Sequence, residues 1–115
     1  MSQQQALWKG KSGNVYPYFI HTLPYSCQLG VDGNYIFARL DIETKAWYAV
    51  YIGEGELNSR VNDKEHYKCA TSKGATHVFV HTNLRQEDRK TEESDLLAGN
   101  PEAYTPTGCN QKAGG

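Results

Sequence analysis

The sequence predicts an α+β domain in which a small antiparallel β-sheet is flanked by helices. Three observations carry that expectation. Four segments alternate β-branched and aromatic residues with polar ones, short turn-rich stretches join the first three of them, and two longer charged segments of helical length surround the fourth. At 115 residues the chain suits one domain with a single core. Eleven glycines and eight tyrosines at 38% apolar content fit aromatic-rich strands and are not a disordered composition.

Taken in order, residues 1–12 are polar and are expected to fray up to Trp8. "NVYPYFIH" (14–21) and "NYIFARLDI" (34–42) read as strands, with Pro17 marking the first as an edge because it cannot donate to a ladder. "KAWYAVYIG" (45–53) is a third strand, joined to the second by a turn at Glu43-Thr44. "ELNSRVNDKEHYKCATSKG" (56–74) reads as one helix stopped by Gly74, although its apolar side is thin, Leu57 and Val61 and little else. "ATHVFVHTN" (75–83) is the fourth strand. Asn83 and Gln86 resemble a capping box opening a helix that Gly99 and Pro101 stop. The predicted order is β-β-β-α-β-α with a loop-like tail.

No window holds the ~20 apolar residues that span a bilayer, and "MSQQQALWKGK" has no apolar signal-peptide region. Cys27, Cys69 and Cys109 are odd in number and widely spaced, which predicts reduced thiols and a cytoplasmic location. A net charge of −1 gives no bulk attraction to polyanions, so an anionic substrate needs a local basic patch.

Several side chains stand out against that background. Tyr35 opens one strand and Tyr51 closes the next, so in an antiparallel hairpin the two phenols meet at one end of the sheet. Taken alone they are ordinary half-buried strand aromatics. Arg60 follows Gly53 on the next helix, with Lys64 and Tyr67 at i+4 and i+7 on the same face. A guanidinium is the natural fork for phosphate, yet Asp63 and Glu65 interleave and fit a plain solvated face. Glu92, Glu93 and Asp95 form an acidic cluster before Leu96-Leu97; Glu93 reads as an oxygen ligand for a hard cation or as a surface partner of Arg89. Zinc held by His66, Cys69, His77 and His81 is rejected, since strand histidines four apart lie about 13 Å apart.

The order of these residues carries more than any one of them. "GNY" (33–35), "YIG" (51–53), Arg60, Glu93 and Asn110 resemble the ordered signature of the GIY-YIG endonuclease family, from Gly33 to Asn110. The resemblance implies a nuclease-like domain over 33–110, an N-terminal extension with an edge strand over 1–32, and a flexible tail over 111–115. It implies Mg²⁺- or Mn²⁺-dependent cleavage of phosphodiesters, in DNA or another nucleic acid, with no membrane partner. Tyr35 would be the general base, Tyr51 would orient water or phosphate, Arg60 would neutralise transition-state charge, Glu93 would hold the metal, and Asn110 would bind phosphate or fix the base. Gly53, Lys64, His66, Tyr67 and Lys68 would line the substrate.

This sequence departs from the family pattern in places. Asn34 replaces the isoleucine of GIY, and the hairpin between the two motifs is longer. Lys64 occupies the place of the family's post-arginine histidine or tyrosine, with His66 two residues later and on a different side of a regular helix unless it breaks near Asp63. Asn100 competes with Asn110, which is favoured because it follows a cysteine as in "PPCN"-like tails. A catalytically inactive nucleic-acid-binding member and a protein-interaction module are the competing readings.

Overall fold

The computed structural model describes residues 4–112 and contains five strands: β1 (Gln5–Lys9), β2 (Val15–Thr22), β3 (Asp32–Leu40), β4 (Trp47–Glu56) and β5 (His77–Thr82). Three α-helices, α1 (Leu57–Val61), α2 (Lys64–Ser72) and α3 (Gln86–Gly99), and a 3₁₀ turn at Pro101–Ala103 complete it. All strand pairings are antiparallel, in the order β1-β2-β5-β3-β4. Residues 113–115 of the expected tail lie outside the described residues.

The interior strand β3 is buried on both faces, which its sequence explains: Ile36 and Ala38 point one way, Tyr35 and Phe37 the other. The first pair packs with Trp8, Tyr18, Ile52, Phe79 and Leu96 beneath α3. The second packs with Val50, Val78, Val80, Leu57 and Val61 beneath α1 and α2. The two sheet edges approach one another, because Trp8 and Lys9 of β1 and Trp47 of β4 line one groove of about 700 Å³.

Four expectations are corrected. Residues 5–9 do not fray: they pair with β2 from Gln5↔Phe19 to Lys9↔Val15. Pro17 therefore does not lie on an edge, since β2 sits between β1 and β5. The single helix over 56–74 is two helices, with Asn62 closing α1 and the Asp63 carboxylate capping α2 at the His66 N–H, 3.0 Å away. Finally, Asn83 caps nothing; α3 starts after Arg85, and the Asn83 amide donates to Asn34 Oδ1 and Glu92 Oε1.

The cysteines depart from expectation as well. Cys69 of α2 is bonded to Cys109 in the tail, with Cα atoms 6.2 Å apart, and Cys27 alone is a free thiol. The pairing removes the thiol argument for a cytoplasmic location. No helix among the described residues is long and apolar enough to cross a membrane.

Candidate active site

The site is built where β4 leaves the sheet. Tyr35 pairs with Gly53, and its ring lies over that glycine so closely that an added Cβ would meet the phenol carbon and hydroxyl at 2.4 Å. Two residues on, Gly55 has φ +137°, and a Cβ there would meet Arg60 Nε at 2.7 Å. The two glycines thus make room for two of the sequence-predicted residues, which is why a strand so rich in large side chains turns glycine-rich at its end.

Tyr51 contacts Tyr35 at a centroid separation of 5.9 Å. It also stacks on His66 at 4.5 Å, its hydroxyl 3.3 Å from His66 Nε2. The break at Asn62-Asp63 is what delivers His66: a continuous helix would turn it away, whereas capping by Asp63 restarts α2 with His66 beside Tyr51. The same break cancels the common face expected for Arg60, Lys64 and Tyr67. Lys64 and Lys68 are exposed, and Tyr67 packs partly into the core.

Arg60 is exposed and makes no ion pair among the described residues, although its charge reaches Tyr35, Tyr51 and Glu93. Glu93 comes from α3 and is half-buried, and its own charge registers at both phenols. It is not a partner of Arg89, which pairs instead with Glu54 at 2.9 Å. The three neighbouring carboxylates diverge. Glu92 points into the core to Tyr18 and His81, at 2.5 and 2.6 Å, and Asp95 accepts from Ser12 and Tyr16. Of these three, Glu93 is the one whose charge registers at Tyr35 and Tyr51.

The electrostatics separate the roles. Burial pushes the Tyr35 hydroxyl far above the ordinary phenol range, and the Tyr51 phenol adds to it. Burial raises Tyr51 as well, while the neighbouring Tyr35 hydroxyl opposes the rise. Glu93 is raised by burial and then by the like charge of Glu54, against Lys90 and Arg60. A cation beside Glu93 would relieve both causes, so this carboxylate suits a divalent ion. Among the described residues no three His, Cys, Asp or Glu side chains form a ready metal cage.

Asn110 is buried, and both ends of its amide grip the main chain of Ile52: Ile52 N–H donates to Oδ1 and Nδ2 donates to the Ile52 carbonyl, each at 2.9 Å. Its amide is therefore bonded to the strand residue next to Tyr51. Asn100 donates to the Lys9 and Leu96 carbonyls at the far end of α3 and stands apart from the site. Between α2 and the tail, Tyr51, His66, Cys69, Cys109 and Asn110 line a cavity of about 490 Å³. Sequence reasoning missed Glu54, whose signal was its place beside the glycines of β4. The chain matches no family model, and neither a curated protein nor a solved structure matches it significantly.

Proposed function

We propose that the protein is a divalent-metal-dependent endonuclease of the GIY-YIG type that hydrolyses phosphodiester bonds in DNA. The observation that supports this reading is the setting of Tyr51. It contacts a second phenol, Tyr35, and the ring of His66, within the field of Arg60, which has no ion pair among the described residues, and of a half-buried Glu93. Glu93 would hold Mg²⁺ or Mn²⁺, which when bound supplies Lewis-acid polarisation of a phosphate oxygen.

The chain's own residues divide the remaining work. Tyr35 keeps its proton, because burial holds its hydroxyl so high, and it serves to position Tyr51 instead of acting as the general base. The proton of the attacking water passes to the Tyr51 oxygen as the Tyr51 proton moves to His66 Nε2. The new P–O bond forms, the bond to the leaving oxygen breaks, and that oxygen takes a proton from solvent. Arg60 neutralises charge that accumulates on the phosphoryl oxygens, where it gains more than in the ground state. Lys64 and Lys68, both exposed, would follow the neighbouring phosphates.

Incubation with supercoiled plasmid and Mg²⁺ or Mn²⁺, beside a chelator control, tests the proposal. Nicked and linear products that vanish with chelator are expected. Salt-sensitive retention on DNA without cleavage by either ion would establish the inactive binder instead.

A further inference from the structure

The face of the sheet that carries the phenols continues past β3 onto β5 and β2, and there the segment 23–31 folds over it. Beneath that segment lies a second cavity of about 270 Å³. Val80 locates it: this residue pairs with Tyr35 on one side and with Phe19 on the other, so cavity and phenols share one face of the sheet. Leu57 lines the cavity and begins the helix that bears Arg60.

Its chemistry differs from that of the phenol site. No lysine, arginine, aspartate or glutamate lines it. His21 and Tyr25 form one wall as a parallel stack with centroids 3.7 Å apart and planes 4° apart, and Phe19 adds a third ring. Burial lowers the His21 imidazole and pushes the Cys27 thiol up to about 11, so both are neutral near pH 7. Gln28 and Thr82 are exposed and place amide and hydroxyl groups at the rim. Beyond Phe19 the same face continues as Pro17 and its partner Leu7, which is 67% exposed.

We propose that this cavity takes an unpaired nucleobase of the substrate, a reading that rests on the nuclease assignment and names the substrate class as DNA with an unstacked or single-stranded segment beside the scissile phosphate. Uncharged aromatic walls select a base over a phosphate, since bases stack on side-chain rings whatever their sequence. Hydrogen-bonding groups at the rim suit a base edge. The cavity lies about two strand spacings, roughly 10 Å, from the phenols. A base stacked in a duplex sits only about 3.4 Å from its neighbour along the axis. A base seated in the cavity has the side-chain rings where its neighbours would stack, so it must leave the duplex stack to enter.

The test uses oligonucleotides carrying 2-aminopurine, whose emission is quenched when it stacks, bound in chelator so that no cleavage intervenes. With the probe base unpaired, the full chain is expected to quench the emission. Tyr25→Ala is expected to weaken binding of the unpaired probe at least tenfold and to abolish the quench, Tyr25→Phe to retain both, and a fully paired probe to bind without quenching. Thr82→Trp, an exposed strand-end substitution that fills the rim, provides a second variant with the same expected loss should Tyr25→Ala fold poorly. Equal quenching by parent, Tyr25→Ala and Thr82→Trp, or no binding by the parent, would overturn the proposal. Plasmid cleavage measured in parallel keeps the two readings apart. Cleavage with an indifferent Tyr25→Ala rejects the base site alone, and a Tyr25-dependent quench without cleavage rejects the nuclease alone.

Discussion

Opening the Cys69–Cys109 bond tests how the site is held. The bond fastens α2, which carries His66, to the tail residue preceding Asn110, across 40 residues of chain. In the chain-entropy treatment a closed loop of that length lowers unfolded-state entropy by about 13 cal/mol/K, or about 4 kcal/mol at 25 °C. For a domain of this size each kcal/mol moves the melting temperature by about 4 °C, so reduction should lower it by about 15 °C. Thermal unfolding followed by circular dichroism, with and without a dithiol, reads that shift, and Cys69→Ser with Cys109→Ser repeats it free of reagent. Plasmid cleavage should fall too, because the partners of Tyr51 and Ile52 are no longer tied together. An unchanged melting temperature in a protein with titratable thiols at both positions would refute the reasoning, since the tail would then be held by its hydrogen bonds alone.

The remaining predictions concern the residues themselves. Gly53→Ala should cost about 1–3 kcal/mol by overpacking, because its methyl meets the Tyr35 ring, and cleavage should fall further than stability; chemical denaturation beside plasmid assays separates the two. Arg60→Ala should lower kcat by about 10²–10³-fold with a smaller loss of DNA affinity, and Glu93→Gln should abolish Mn²⁺ binding measured by calorimetry while the fold persists. Glu93 holds its proton more tightly in the folded chain than the ordinary value of 4.5. Ionising it therefore costs stability as pH rises through the raised value, and a proton competes with metal up to that same pH. Glu54→Gln removes the like charge and should move the onset of Mn²⁺ binding to lower pH; an unmoved profile leaves burial as the whole cause. Asn110→Ala should impair cleavage and stability together, and Asn100→Ala should spare cleavage; the reverse ranking would return the catalytic asparagine to Asn100.

The sequence showed the strands with dense β-branched and aromatic runs and hid the short one without such a run. β3 and β5 were legible because β-branched and aromatic residues run together at Tyr35-Ile36-Phe37 and Val78-Phe79-Val80, the pattern of strands buried on both faces. β1 was not, since "QALWK" is a short segment between polar stretches in which only Trp8 is buried, and it becomes a strand by pairing with β2. The break that delivers His66 was written at Asn62-Asp63, where an aspartate three residues before His66 is an N-cap signal inside an otherwise helical run. Glu93 could be picked from the acidic cluster by resemblance alone, because neighbouring helical positions point about 100° apart and periodicity does not say which carboxylate faces which layer. The disulfide and the Ile52–Asn110 contact join residues 40 and 58 apart in the chain, a distance at which local pattern is silent.

That last contact has a consequence for solubility. β4 is an outer strand with the β-branched and aromatic run Val50-Tyr51-Ile52, the composition that recruits foreign strands when its backbone lies open. Here the tail occupies those groups one by one: Glu102 accepts from Ala49 N–H, Cys109 N–H donates to the Val50 carbonyl, and Asn110 answers both polar groups of Ile52. A side-chain amide thereby stands in for a sixth strand. The residue that steadies Tyr51 also shields the edge from self-association, so chains that shed the tail would meet edge to edge and assemble before they could unfold.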